Sequence, residues 1–488
     1  MRLNLISLFF LIFQSCLAAV AVDKRADVVF IVVDDLNDWV GVMGGHPQSL
    51  TPNFDRIARQ GMLFTNAHCN APQCLPSRTS FISGLYPKAT GVYMNSGPRT
   101  TPRLTKPKGF PEHFKSEGYY VAMGGKVAYG KHPYLDASLG NPSWPRPDHV
   151  PKLNAKAPPW DGAALPYGDE ETGDYKVSEF AIEQWQTKTE KPVMMAIGLF
   201  RPHRPLWAPQ KYFDKFPTAT TQLPALPKGN DWDDLPDYAI RMARSHAHKD
   251  LHDGGKFSDH EAILNKNGET EWKRVVASYL ANVNFMDAML GRILKALEQN
   301  PRGRETMIVL TSDHGWNLGE KRHWCKGGLW KNTTIVPMVI LAPGMTKPGT
   351  RSKQPVSLVD VYPTLCDLAG IDKPSHLQGA SMVPLLKDPK AEREAAFISY
   401  GPENTAIQTD RYRLIRYEDG SEELYDHDKD PHEWENLAKN PEYSELKDDL
   451  EKSLLAFQNK DKAALIKQHR ETYGKTTTPW LFKQDLKK

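Results

Sequence analysis

The chain has little net charge, few cysteines and almost no long apolar stretch. Lys and Arg total 62 against 59 Asp and Glu, a formal charge of +3. So close a balance provides no bulk field for a polyanion and argues against a nucleic-acid partner, although it leaves room for a local basic pocket. Five cysteines in 488 residues do not make a disulfide framework. Cys16 falls in the N-terminal leader and Cys74 belongs to a motif described below. Cys69, Cys325 and Cys366 remain, an odd set with room for one bridge whose partners stay open. Past the N-terminus no apolar run reaches bilayer-spanning length, so no transmembrane segment is expected. Hydrophobic content of 40% and charged content of 25% are those of an ordinary globular enzyme. The length suffices for one large domain and a smaller one.

The N-terminus reads as a secretory signal over residues 1–21. Arg2 is its positive end, Leu3 to Leu17 its apolar stretch, and Ala19-Val20-Ala21 a small-x-small cleavage pattern. The protein is therefore expected in the periplasm, the medium or a lysosome-like compartment. A lipoprotein cleaved before Cys16 ranks second, because Phe13-Gln14-Ser15 is a poor lipobox.

Several β-branched or apolar runs end in chemistry-bearing residues. Asp27 to Val33 reads as a strand buried on both faces, as in a parallel sheet, and runs into Asp34-Asp35. Open α/β sheets place ligands at such strand ends. Two adjacent buried acids repel unless a cation holds them, and hard oxygen ligands suit Ca²⁺ or Mg²⁺; a solvated turn with Asp as a helix cap is the other reading. Tyr119 to Met123 is a second strand, followed by Gly124-Gly125-Lys126. Pro192 to Phe200 is a third, running into Arg201-Pro202-His203-Arg204-Pro205, where the prolines stiffen the backbone around His203. Thr306 to Leu310 is a fourth and leads to Ser312-Asp313-His314-Gly315.

Cys74-Leu75-Pro76-Ser77-Arg78 is the organising stretch. Pro76 fits the first turn of a helix and Gly84 its stop, which puts Cys74 at a helix N-terminus, where N–H groups favour an anion. Arg78 lies one turn on, with a fork of donors that matches a tetrahedral oxyanion. Elsewhere Phe110 to Glu117, Glu271 to Leu297 and Ser357 to Ala369 read as helices. Asn141 to Tyr175 lacks a period and reads as long loops, with Trp144 and Trp160 able to stack on sugar rings. Leu223 to Glu261 is polar and irregular; His246, His248, His252 and His260 lack cysteine companions and zinc spacing, so the segment reads as a substrate-facing loop. From Ala395 on, short alternating runs with Asp419-Gly420 as a hairpin turn are followed by an amphipathic helix over Tyr443 to Ala456.

The C-x-P-S-R stretch resembles the signature of the type I sulfatases, and the resemblance runs along most of the chain. It is nearest to the iduronate-2-sulfatase group, through the Gly-Lys-Val at Gly125-Lys126-Val127, the Pro-His-x-Pro at Pro202–Pro205, and Gly319-Glu320 with Trp324 and Lys326 after Asp313-His314. The resemblance implies an α/β, alkaline-phosphatase-like fold: a large mixed sheet flanked by helices over residues 22–390, and a smaller C-terminal α+β subdomain over 391–488. It implies a sulfuric ester hydrolase whose Cys74 is oxidised to formylglycine (3-oxoalanine) by a formylglycine-generating or sulfatase-maturating enzyme. The hydrated aldehyde would attack sulfur. Asp34, Asp35, Asp313, His314 and residue 74 would hold a divalent cation, calcium preferred and magnesium possible. Arg78, Lys126 and Lys326 would neutralise the sulfate, with Lys331 as a rival to Lys326. His203 would serve the bridging oxygen, and Asp313 could take the proton of the attacking hydroxyl. Export and loop aromatics suggest a sulfated carbohydrate, from glycosaminoglycan or algal polysaccharide. One departure is plain: a His expected shortly after Lys126 is replaced by Tyr129, and the nearest is His132. Two other functions compete, a phosphonate monoester or phosphodiester hydrolase and a secreted glycan-binding pseudosulfatase.

Overall fold

The computed structural model describes residues 25–95, 108–142, 162–244 and 259–459. The signal-peptide reading, Cys16, Trp144, Trp160, His246, His248 and His252 lie outside them. Among the described residues no helix is long and apolar enough to cross a membrane. Cys69, Cys74, Cys325 and Cys366 are all free thiols.

Eight strands form the central sheet. They are β1 (Val28–Val33), β2 (Met62–Phe64), β3 (Tyr120–Gly125), β4 (Ala137–Leu139), β5 (Val193–Leu199), β6 (Met307–Ser312), β7 (Met338–Leu341) and β8 (Thr350–Ser352). Their order is β8-β2-β7-β6-β1-β5-β3-β4. Only β7 opposes its neighbours; the other pairings are parallel. β1 is central and wholly buried, and its β-branched run suits a strand covered on both faces. Val29, Ile31 and Val33 enter one apolar layer, with the helices Pro52–Gln60, Gly173–Gln186 and Asp259–Gln299. Val28, Phe30 and Val32 enter the other, with the helices Cys74–Ser83, Phe110–Ser116 and Val361–Ala369. The result is a three-layer α/β/α sandwich.

The long helix breaks at Asn267 and Gly268, where Gly268 takes φ of 57°, and its apolar stripe begins beyond the break. The polar, irregular reading of residues 223–261 requires correction. Asp237–Arg244 is a helix that buries Ala239, Met242 and Ala243. His260 faces no solvent loop; its ring lies 4.7 Å from that of Trp272, and it accepts a hydrogen bond from Trp324 Nε1 at 3.2 Å. The long-loop reading of 141–175 fails at its end. Gly162–Leu165 pairs in parallel with Leu206–Pro209, and Thr172 caps the helix Gly173–Gln186 by accepting from the Tyr175 N–H. Gly173 as the first helical residue and a four-residue strand without alternation hid both elements.

The C-terminal part is a four-stranded antiparallel sheet, β9 (Ala396–Ser399), β10 (Thr405–Gln408), β11 (Tyr412–Arg416) and β12 (Glu422–Asp426). Gly420, at φ of 84°, closes the turn between β11 and β12. Leu450 and Leu454 of the helix Ser444–Asn459 pack on Ile407, Leu414 and Leu424. A buried polar seam ties this sheet to the larger one. Glu433 pairs with Arg413 at 3.0 Å and His427 at 2.9 Å, and accepts from the Lys331 N–H at 2.8 Å.

Glu433→Gln leaves the buried Arg413 guanidinium without its counter-charge, and breaking such a pair costs about 3–5 kcal/mol. Burial pushes the Glu433 carboxyl up, but Arg413 and His427 pull it further down, from 4.5 to about 2. Its folded value lies below its unfolded one, so its contribution is complete above pH 4.5 and is lost as pH falls through 2. The difference in urea midpoint between wild type and variant is therefore expected to be widest near neutrality and to close in acid. A difference that persists unchanged into acid would rule out the carboxylate as its source.

Candidate active site and metal centre

Four parallel strands deliver their following residues to one point. β1 pairs with β5 and β6 so that Val33 lies opposite both Leu199 and Ser312. The Asp34 N–H then donates to Leu199 O at 3.0 Å, and the Asp313 N–H to Val33 O at 3.1 Å. On the other side of β5, Gly125 lies opposite Gly198, and the Lys126 N–H donates to Gly198 O at 2.9 Å. That approach needs glycine on both strands. A Cβ on Gly198 would sit 2.1 Å from the Lys126 carbonyl carbon, and one on Gly125, whose φ is +74°, 2.1 Å from Gly198 O. Asp35 itself takes φ of 62°, uncommon for a non-glycine residue, and so turns its side chain back over the strand ends.

The Cys74–Ser83 helix begins against these ends, with Cys74 as its first residue and Gly84 closing it at φ of 70°. Cys74 Sγ lies 2.9 Å from Lys326 Nζ, 3.4 Å from His314 Nε2, 3.8 Å from Lys126 Nζ and 3.8 Å from Asp35 Oδ1. Lys326 Nζ also bonds Asp35 Oδ1 at 2.7 Å, and Lys126 Nζ pairs with Asp34. His203 Nε2 stands 3.8 Å from Asp35 and 3.9 Å from Asp34, while its Nδ1 donates to Arg204 O at 2.6 Å. Asp34, Asp35, Cys74, Lys126, His203, His314 and Lys326 thus meet here. Lys331 does not: its ammonium turns away to Pro431 O at 3.0 Å.

Arg78 differs from the oxyanion-fork reading. Its Nε donates to Asp313 at 3.0 Å and its Nη2 to Asp34 at 2.9 Å, while its Nη1 bonds the carbonyls of Lys126 and Val127. With its fork occupied in this way, Arg78 is a strut between two carboxylates and the Lys126 backbone.

The electrostatics follow from burial set against this ring of cations. Burial would raise the Asp34 carboxyl, yet Lys126, His203 and Arg78 outweigh it and hold it well below the usual carboxylate range. Asp35 is lowered in the same way, burial losing to His203 and Lys326. For Asp313 burial wins over Arg78 and the carboxyl is raised. Burial alone would lower the His314 imidazole, but Asp313 and Cys74 lift it to about 9. Burial holds His203 well below its ordinary value despite Asp35.

The donor set fits a hard divalent cation. Ligand atoms of Asp34, Asp35, Cys74, Asp313 and His314 lie within 4.8 Å of one another, all buried. Asp35 Oδ2 is buried with no hydrogen-bond partner, which is costly unless something positive meets it. His314 Nδ1 bonds Gly315 O at 2.9 Å, so Nε2 is the nitrogen that faces the cluster, and a cation bound there would take the place of its proton. Three carboxylates and one imidazole are the ligands expected of Ca²⁺ or Mg²⁺ more than of zinc.

Some supporting residues carried no sequence signal. Tyr279 OH donates to Asp35 O at 2.8 Å from the middle of the long helix, where it reads as one more apolar position. Asp174 accepts from the Phe200 and Arg201 N–H groups at 2.7 and 2.9 Å and so fixes the turn that presents His203; it lies in the stretch read as loop. Ser77 Oγ bonds Asp313 O. Tyr129 lies close enough to Cys74, Arg78 and Asp34 to feel their charge.

Known proteins resemble this chain in sequence and in fold. The chain matches the sulfatase family over residues 26–371 and the C-terminal family of N-sulphoglucosamine sulphohydrolase over 319–460. It is 33% identical to a sulfatase of Formosa agariphila, covering 88% of each chain. It is 26% identical to an ulvan-active sulfatase of the same organism, over 92% of this chain and 86% of the relative. With human iduronate 2-sulfatase it shares 27% identity over 71% of this chain and 70% of the relative. Among solved structures, one in complex with its substrate D-glucosamine-2-N,6-O-disulfate superposes with a TM-score of 0.71 at 23% identity, covering 90% of this chain and 99% of the other. That likeness shows the fold, the alkaline-phosphatase-like sandwich with its C-terminal subdomain. On the family match and the 33% relative together, the chain belongs to the sulfatase family, enzymes that hydrolyse sulfate esters.

Proposed function

We propose that the protein is an exported sulfatase that removes sulfate from a sulfated carbohydrate, with Cys74 matured to formylglycine and a divalent cation, calcium before magnesium, held by Asp34, Asp35, Asp313, His314 and residue 74. One observation carries the reading: a helix-N-terminal thiol, three carboxylates and an imidazole share one buried cluster, with two lysine ammoniums bonded to its edge.

Sulfate monoesters are already anionic, so the site must offset charge before a nucleophile can approach. A cation held by Asp34, Asp35, Asp313, His314 and residue 74 would supply Lewis-acid charge at the sulfate oxygens, and residue 74 as hydrated formylglycine would supply the nucleophilic hydroxyl. The chain does the rest. Lys326 and Lys126 lie 2.9 and 3.8 Å from the Cys74 sulfur and grip the sulfate from two sides. Arg78 holds Asp34 and Asp313 in place and offsets their mutual repulsion. Asp313 accepts the proton of the attacking hydroxyl. His203, its Nδ1–H fixed on a carbonyl, presents Nε2 at the rim of the cluster, 3.8 Å from Asp35, where it serves the departing alcohol oxygen. The exposed approach lies on that side: His203 is 19% exposed in its side chain and Lys126 12%, whereas the carboxylates are fully buried.

The substrate class rests on the names of relatives, which include the ulvan-active enzyme and iduronate 2-sulfatase, both acting on sulfated sugars. Export rests on the N-terminal signal pattern.

Cys74→Ala is expected to lower kcat/KM by about 10³-fold or more. Mass spectrometry of the active wild-type protein should show the Cys74 peptide lighter by the exchange of H₂S for O. An unmodified thiol in fully active protein would overturn the formylglycine mechanism. Dialysis against a calcium chelator is expected to abolish turnover and lower the melting temperature, with both restored by calcium; a metal-depleted protein that keeps both would sink the cation site. Assay against defined sulfated oligosaccharides beside an aryl phosphodiester and a phosphonate monoester tests the substrate. Sulfate esters are expected to give the higher kcat/KM, and the reverse order would favour a phosphorus ester hydrolase.

A further inference from the structure

Lys326 reaches the Cys74 sulfur from a loop that the backbone alone does not favour. Lys321, Arg322 and Cys325 take φ of 54°, 49° and 68°, the left-handed region that suits glycine, and Gly319, Gly327 and Gly328 are also at positive φ. Residues bearing side chains stay in such conformations only where their surroundings fix them. The restraints before Lys326 centre on one buried ion pair. Lys321 is 3% exposed and its ammonium meets Asp231 Oδ1 at 3.0 Å. The second oxygen of Asp231 accepts the Lys321 N–H at 3.0 Å, so one carboxylate binds both the backbone and the side chain of the same residue. The Lys321 ammonium also bonds the carbonyl of Glu433, and Trp232 Nε1 donates to the Lys321 carbonyl at 2.7 Å. The Arg322 guanidinium lies over the Trp232 ring at 5.3 Å.

We propose that Lys321 and Asp231 are positioning residues for catalysis: their buried pair locks the left-handed turn that aims Lys326 at the sulfate. The inference rests on the reading above that Lys326 grips that sulfate. Residues beyond Lys326 are fastened by other bonds, through Leu329 O to Arg413 at 2.7 Å, Trp330 Nε1 to Glu423 at 2.9 Å and the Lys331 N–H to Glu433. Lys321 touches that seam through the Glu433 carbonyl, but the Glu433 carboxylate keeps its own bonds to Arg413, His427 and Lys331 when the Lys321–Asp231 pair is lost. A buried ion pair is weak evidence of stability for its own sake, since desolvation offsets most of the attraction. Here the two-point grip on a residue of unfavourable φ gives the pair a conformational task.

A double-mutant cycle tests this, read in kcat/KM on 4-nitrophenyl sulfate and in the affinity for inorganic sulfate by isothermal titration calorimetry. Lys321→Met is expected to lower kcat/KM at least about tenfold and to weaken sulfate binding in the wild-type background, yet to add less than about twofold to Lys326→Met. Lys321→Arg, which keeps the charge, should recover most of the loss. Where Lys321→Met does not fold, the near-isosteric Asp231→Asn takes its place in the same cycle. Equal losses in both backgrounds, or none in the wild type, would overturn the positioning role. Lys326→Met with unchanged turnover and sulfate affinity would instead overturn the reading of Lys326 itself, so the two failures are distinct.

Discussion

Three carboxylates held in one buried cluster repel one another, and everything around the site answers that repulsion. Asp34, Asp35 and Asp313 are all inaccessible to solvent. Water cannot screen them, so protein cations must. Arg78 bridges Asp34 and Asp313, Lys126 meets Asp34, and Lys326 meets Asp35. The balance is not uniform. Asp34 and Asp35 are held ionised below the ordinary range, whereas Asp313 is raised because burial prevails there. A site built this way is pre-charged: its anions lie beneath its cations, and in the proposed mechanism the cations nearest the open side trade a carboxylate for a sulfate oxygen. Asp35 shows the remaining imbalance, one oxygen bonded to Lys326 and the other without a partner.

The scaffold secures this geometry through sheet register rather than through loops. A single level of the sheet, Val33 with Leu199 and Ser312, sets where Asp34 and Asp313 emerge. The neighbouring Gly125–Gly198 contact sets Lys126. Parallel strands make this possible because they all present their C-terminal ends on one edge. The antiparallel β7 lies outside that group and contributes none of the site residues. Cys74 and Arg78 come instead from a helix, and Lys326 from a loop with residues at positive φ held by buried polar contacts.

Much of this was legible in the sequence, for reasons that can be stated residue by residue. Apolar runs ending in Asp34, Lys126 and Asp313 are strand-end signals, since a buried parallel strand has no other place for charge. Pro76 and Gly84 bracket the Cys74 helix by their fixed and permissive φ. The family resemblance supplied Lys326, His203 and the metal set, none of which spacing alone singles out. Other features left no trace. Arg78 as a strut depends on two acids hundreds of residues apart from Asp313 to Asp34, and a donor fork looks the same whichever anion it serves. Asp174 sits in a stretch whose helix starts with a glycine, and Tyr279 in an apolar stripe where a tyrosine passes for core. His260 failed as a solvent-loop histidine because it is covered by Trp272, beyond the break of its own helix, and by Trp324 from a distant part of the chain.

The replacement of the family histidine by Tyr129 bears on how protons move in the proposed mechanism. A histidine can titrate near neutrality. The Tyr129 phenol does not: burial above all pushes it well above its already high ordinary value, so it keeps its proton near neutrality. His203 then stands as the titratable side chain on the open side of the cluster, its Nδ1 committed to a carbonyl and its Nε2 turned inward. In the structure burial pulls that imidazole well below its ordinary value. A substrate that brings its own negative charge to the pocket acts in the opposite direction, since an adjacent anion raises a histidine. In the proposed mechanism the sulfate ester thereby favours the protonated His203 that the departing alcohol requires.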